Sequence, residues 1–334
     1  MQKTYESMAF TIQRFDWIDW MKVIGIYFIV YGHLFSFGEK FIYVFNVPLF
    51  FFISGFLCKK EVNKEVFWKK LWYNLVVPML IISLINNLYY CAQLIYWDSF
   101  DFKNLAVIIF NVICGFHSGV HECWFIYTLI VLKIIFQFSS GKGLPIFLFF
   151  LFLCIAYLYN HLDLLGISSV IDDPNSIVNV FTAYPFFALG GYVKNHSDFL
   201  NKFDGKLTLG VVFVVSLFLI FICGHYNDYV WMWKCGYGGN FVLFLIGGVS
   251  GTCCIYALSK ILGSCPQLVT TISRGTILIL GFNMALIELI RRFFQASLAD
   301  FGFAFIIVLC FIPVIMLAER FFPLIMGKYR LKKG

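Results

Sequence analysis

Ten runs of mostly apolar residues, each 17 to 25 residues long, dominate this 334-residue chain. They cover 18–37, 41–58, 71–95, 122–138, 144–160, 177–194, 207–225, 237–258, 275–291 and 301–325. A helix needs about 20 such residues to cross a bilayer. In lipid every backbone N–H and C=O must be paired within the protein, which leaves helices or a closed barrel. A barrel would show short alternating strands, whereas these runs are continuous. The chain is 61% hydrophobic and 13% charged, against about 25% charged for a soluble domain. Disorder, a nucleic-acid-binding domain and an ordinary soluble enzyme are excluded on that ground. The expectation is an all-α polytopic membrane protein of about ten transmembrane helices. A single integral-membrane domain over 1–334, with no attached soluble domain, is expected.

Two runs are irregular. The apolar stretch 104–116 is too short to span and reads as a re-entrant or interfacial segment. The run 41–58 contains Pro48 and Gly55 and is expected to be kinked or broken. With the N-terminus in the cytoplasm, that side holds Lys3, Arg14, Lys59, Lys60, Lys64, Lys69, Lys70, Lys142, Lys194, Lys202, Lys206, Lys260, Arg274, Arg320, Lys328, Arg330, Lys332 and Lys333. The other side holds Lys40, Lys103, Lys234, Arg291 and Arg292, and the acidic Asp163, Asp172 and Asp173 in the loop 161–176. Lys22 and Lys133 lie inside runs. Basic residues mark the cytoplasmic side, so both termini are expected there. The first run follows a mixed polar segment and lacks a small-residue cleavage site, so it does not read as a signal peptide. The 11 cysteines form no C-x-x-C pair; Cys154, Cys253 and Cys254 sit in apolar runs, as small core residues do.

The first run carries the most informative polar residues. Lys22 and His33 are eleven apart, which places them within roughly 20° of one another around a helix axis. Asp19 falls roughly 40° from His33 on the same projection. All three project from one stripe, with Ile26, Ile29 and Val30 between them. The rise from Lys22 to His33 is about 16 Å, which sets His33 well inside the membrane. Ionisable groups in a span are costly and face a cavity or the bundle interior. Two plainer readings stay open: Asp19 and Lys22 as an i, i+3 ion pair at the interface, and His33 as a polar link between helices.

The segments that follow resemble the integral-membrane acyltransferase 3 family. Asp19, Lys22, Gly32 and His33 match its first-span pattern, and Phe45 to Phe56 (FNVPLFFFISGF) match its F-H-M-P-L-F-F-x-x-S-G-F segment. Trp124-Phe125 resembles its W-F-L element, and Pro185-Phe186-Phe187 with Gly190-Gly191-Tyr192 its P-F-F-x-x-G-Y element. Many members carry Arg where Lys22 stands, and His where Asn46 and Asn283 stand. Lys keeps the charge but not the bidentate fork. Asn can donate and accept hydrogen bonds but cannot act as a base near neutral pH. His33 is left as the main acid–base candidate.

The resemblance implies transfer of an acyl group, usually acetyl, from acetyl-CoA to a hydroxyl of a surface polysaccharide or lipid-linked glycan. It also implies a bacterial-type inner membrane, with acyl-CoA, a glycan and membrane lipid as partners and neither metal nor nucleic acid. His33 then acts as the base or passes the acyl group on, with Lys22 and Asp19 at the cytoplasmic mouth. Asn46, Ser54 and Asn283 are candidate donors to the developing oxyanion. Lys59 and Lys60 open a five-lysine loop (Lys59–Lys70) that could meet the donor's phosphates or merely anionic lipid. Glu122 and Trp124 are candidates for acceptor binding, although Trp124 also fits an interfacial anchor. The pair His117 and His121 has one neighbouring carboxylate, which is thin support for a metal. Arg291 could hold a phosphate of the acceptor or pair with Glu288 or Asp300. Two other functions remain on this reading: a glycan or acyl-donor transporter with His33 as proton relay, and a non-catalytic envelope-assembly partner. The absence of a visible internal repeat weighs against a transporter built from inverted halves.

Overall fold

The computed structural model describes residues 14–35, 37–96, 102–139, 143–162, 173–201 and 204–328. Lys3, Lys142, Lys202, Arg330, Lys332, Lys333, Asp163 and Asp172 lie outside the described residues. The described residues form helices and connecting turns, with no strand among them. In chain order the helices are α1 (Asp16–His33), α2 (Glu39–Tyr43), α3 (Asn46–Leu57), α4 (Lys64–Leu71), α5 (Val77–Tyr96), α6 (Phe102–Cys114), α7 (His117–Val120), α8 (Trp124–Phe138), α9 (Leu144–Tyr159), α10 (Val180–Asn195), α11 (Ser197–Asn201), α12 (Lys206–Tyr226), α13 (Phe241–Leu262), α14 (Gln267–Arg274), α15 (Thr276–Arg291) and α16 (Asp300–Phe321). A π-helical turn, Trp72–Val76, joins α4 to α5.

Among the described residues six helical stretches are long and apolar enough to cross a membrane: Glu39–Leu57, Lys64–Tyr96, His117–Phe138, Lys206–Tyr226, Phe241–Leu262 and Asp300–Phe321. The pair α14 and α15, bent by 79° at Gly275, makes a seventh where the two halves count as one broken span. The expected count of ten is therefore not reached on length and composition. The remaining expected spans fall on α1, α9 and α10. Helix α1 carries Asp16, Asp19 and Lys22 in its first half, and α9 and α10 have 16 residues each. At 1.5 Å per residue, 16 residues reach about 24 Å, short of a hydrocarbon core of about 30 Å. Helix α6, with 13 residues, is shorter still.

The break in the run 41–58 lies at Val44–Phe45 rather than at Pro48. Pro48 sits in the first turn of α3, where its missing N–H has no helical partner to lose. Gly55 serves packing instead of kinking. A Cβ there would strike the Phe187 carbonyl, and one on Gly190 would strike that of Phe52. Small residues at both positions let α3 and α10 press backbone to backbone.

The two largest of four apolar clusters among the described residues pack the bundle. One gathers Ile26, Val30, Ile279, Ile307 and Ile315 from α1, α15 and α16. The other gathers Phe51, Leu132, Phe186, Phe187 and Phe244 from α3, α8, α10 and α13. Hydrogen bonds join the loops into two ends. At the basic end Lys194 Nζ donates to the Cys58 carbonyl, Lys60 to the Ser139 carbonyl, and Cys265 N to Asp16. Its cations are widely paired: Lys70 with Glu61 and Lys69 with Glu65 at 2.6 Å each, Lys260 with Asp204 at 2.9 Å, and Arg274 with Glu319 at 3.0 Å. The opposite end carries His33.

Candidate active site

His33 is the last residue of α1, and its position is fixed by the turn beyond it. Phe35 takes φ +49°, and Tyr43 Oη donates to the Gly32 carbonyl at 3.1 Å. His33 Nδ1 lies 2.7 Å from Asn283 Oδ1, which α15 supplies from 250 residues away. Asn283 Nδ2 donates to the carbonyls of Ile279 and Leu280, both at 2.8 Å. The amide nitrogen is thus spent on its own helix, and Oδ1 is left facing the ring as an acceptor. Nδ1 of His33 therefore carries the proton, and the lone pair sits on Nε2.

The cavity beside His33 has a volume of about 180 Å³. Asn46, Glu122, Trp124, Trp231 and Trp233 line it with the imidazole. Asn46 begins α3 and is 2% exposed; its Oδ1 accepts from Val47 N at 2.8 Å, which aims Nδ2 away from its own helix. Glu122 sits in the 3-10 turn His121–Cys123, with Asn86 Nδ2 at 3.4 Å from Oε2. Trp231 and Trp233 come from the loop between α12 and α13, which the sequence reading passed over. Asn179 clamps that loop, accepting from Cys235 N at 2.8 Å and donating to the Trp233 carbonyl at 2.9 Å. Asn227 donates to the Tyr237 carbonyl at 2.9 Å and accepts from Asn240 N at 2.7 Å. Tyr229 stacks on Trp231 with centroids 5.5 Å apart and donates to Glu39 at 2.8 Å. That hydrogen bond pushes the Tyr229 phenol above its ordinary range, with burial and the carboxylate's charge adding.

Two further cavities continue toward the basic end. The middle one, about 260 Å³, shares Ile29, Phe125 and Leu280 with the His33 cavity and is also lined by Lys22, Ser54 and Lys133. The third, about 240 Å³, shares Leu57, Leu75 and Lys133 with the middle one and is lined by Lys59, Lys70 and Gln137. Residues from α1, α3, α8 and α15 thus surround a line of three cavities from the lysine loop to His33. Lys22 and Lys133 form no ion pair within 4.0 Å among the described residues. Lys133 lies within a span, and only the fold reveals that it faces a cavity.

Other candidates fall elsewhere. Asp19 leaves the stripe: its carboxylate accepts from Arg14 Nε at 2.5 Å and from Ser273 Oγ, which anchors α1 to α14. Lys22 and His33 keep the shared face, so the i, i+3 pair of Asp19 with Lys22 gives way to Arg14. Arg291 grips Asp300 with Nη1 at 2.9 Å and Nη2 at 2.7 Å, and Nη2 also donates to the Leu34 carbonyl. It ties α15, α16 and the end of α1 together and does not line the His33 cavity. Lys60 is spent on Ser139 and lies over the Phe136 ring at 5.6 Å. Ser54 opens on the middle cavity rather than on His33. His117, by contrast, lines the His33 cavity and packs on Trp233 at 4.4 Å between centroids, whereas His121 Nε2 lies 3.3 Å from Asn87 Oδ1.

No curated protein and no solved structure matches the chain. Residues 15–320 match the family model described as an acyltransferase domain, which takes in α1 through nearly all of α16 and every cavity residue named above. The chain belongs to the acyltransferase 3 family and is a membrane acyltransferase.

Proposed function

We propose that the chain is an O-acyltransferase that moves an acetyl group from acetyl-CoA to a hydroxyl of a surface polysaccharide or lipid-linked glycan. The observation that carries this is the line of cavities joining a lysine-rich end to His33. On this reading the basic end faces the cytoplasm of a bacterial-type inner membrane, as the positive-inside bias requires. Acetyl-CoA is an anionic substrate. Lys59 and Lys133 meet its phosphates, and the arm bearing the thioester runs past Lys22 and Ser54. The glycan hydroxyl comes from the opposite end, between Trp124, Glu122, Trp231 and Trp233.

His33 Nε2 takes the hydroxyl proton, and the oxygen attacks the thioester carbonyl. Asn46 Nδ2 supplies a hydrogen bond to the oxyanion that forms. The tetrahedral species collapses with cleavage of the C–S bond, and the departing thiolate takes the proton from the imidazolium. The ester stays on the glycan and CoA leaves by the basic end.

The test is the surface glycan of a deletion strain complemented with the native chain or with His33→Gln. We expect glycan in normal amount without its O-acetyl groups in the variant. Loss of glycan export with acetylation intact would make the protein a transporter with His33 as proton relay. Normal acetylation and export in the variant would remove His33 from the chemistry.

A further inference from the structure

The His33 cavity and the middle cavity meet at three apolar side chains, Ile29, Phe125 and Leu280. Each comes from a different helix and each is held. Ile29 is 5% exposed and precedes His33 by one helical turn on the same face of α1. Leu280 lies on α15, one turn before Asn283, and its carbonyl receives the Asn283 amide. Phe125 lies against Phe51 at 4.5 Å between centroids and edge-on to Phe50 at 6.1 Å. The partition therefore stands about 6 Å below the His33–Asn283 pair, built on the helices that position that pair.

A thioester that approaches from the basic end must bring its acyl group through this partition first, because the acyl group is the leading end of the donor. Behind it the cysteamine and β-alanine units make an unbranched arm, and only this arm has to cross the partition, because the dimethyl-branched pantoyl unit follows farther back. An opening wide enough for that arm passes acetyl and other slender acyl groups, and it stops a group wider than the arm. We propose that Ile29, Phe125 and Leu280 form a constriction that selects the acyl group by its cross-section, admitting unbranched acyl groups and rejecting branched or aromatic ones. The inference rests on the donor path of the proposed function and adds three specificity-determining residues to it. None of the three touches a proton in the reaction; they act before the carbonyl reaches Nε2.

The experiment is a competition of acyl donors on the full chain in lipid nanodiscs. The acceptor is envelope glycan from the deletion strain, and CoA release is followed with acetyl-, propionyl-, isobutyryl- and benzoyl-CoA. In the native protein kcat/KM for isobutyryl- and benzoyl-CoA should fall at least tenfold below that for acetyl- and propionyl-CoA. One extra methylene in an apolar site is worth about 10- to 200-fold, so Phe125→Ala should raise the isobutyryl-to-acetyl ratio by about tenfold or more. Ile29→Val and Leu280→Val, which keep the packing and trim one carbon each, should move the ratio the same way by a smaller factor. A native enzyme that accepts isobutyryl-CoA as well as acetyl-CoA would overturn the constriction. So would a ratio unchanged in the Val variants and in Phe125→Ala. His33→Gln, run in parallel, keeps the two readings apart. If it releases CoA at the native rate, the base assignment fails, whereas the donor ratios still judge the constriction.

Discussion

Asn283 spends its amide nitrogen on the carbonyls of Ile279 and Leu280, and this leaves one oxygen to hold the His33 ring. Removing that oxygen frees both tautomers and the ring's rotation. Partners that orient a metal-bound histidine in this way are worth about 10- to 100-fold in activity, and the same orienting geometry acts on a free imidazole. We therefore expect Asn283→Leu to lower kcat by that range with little change in the KM for acetyl-CoA. Asn283→Asp, which still accepts from Nδ1–H, should retain more activity than the Leu variant; equal losses would deny the orienting role. His33 was legible in the sequence because an imidazole in a run of apolar residues asks for a reason. Its partner stood out as a position where the family pattern implies another residue and as a candidate oxyanion donor, whereas its amide nitrogen is spent on Ile279 and Leu280. Nothing in the chain's periodicity joins residue 33 to residue 283, because that contact is made by the packing of α1 on α15.

Helix termini carry the next layer of order. Arg291, at the end of α15, and Asp300, at the start of α16, close a turn around the last carbonyls of α1. Asp300 is wholly buried. Cutting one partner of a buried ion pair leaves an uncompensated charge and costs about 3–5 kcal/mol. Arg291→Ala should thus show as a lower melting temperature in detergent, with the glycan KM nearly unchanged. A many-fold rise in that KM at unaltered stability would return Arg291 to the acceptor site. The sequence leaves Arg291 three partners, a substrate phosphate, Glu288 and Asp300, because both carboxylate and phosphate suit a guanidinium. It could not choose, since the choice depends on where the tip of α1 ends. The helices themselves were legible from apolar runs, and so was the break between α2 and α3. The site of that break was misread because Pro48 was credited with a kink that its first-turn position does not produce.

Across the whole molecule, charge is distributed so that most cations at the basic end have carboxylate or carbonyl partners, whereas Lys22 and Lys133 face the cavities without an ion pair among the described residues. On the proposed function an anionic donor supplies the missing counter-charge. A hydrogen bond to a charged group is worth about 1.5–3 kcal/mol, so Lys133→Met should raise the KM for acetyl-CoA about tenfold or more while kcat changes little. An unchanged KM would move the phosphates elsewhere. The sequence places Lys133 inside an apolar run, but a lysine stem near a helix end can carry its ammonium out to the interface, and only the neighbouring helices show that it turns inward. The same arrangement has an electrical side. A bore open from one face of a membrane to the other would let protons and ions run down their gradient with every catalytic cycle. Apolar narrowings expel water and so block ions. On the proposed donor path, a constriction of Ile29, Phe125 and Leu280 would keep the two aqueous compartments apart, so that a catalyst reaching through the bilayer would not discharge it.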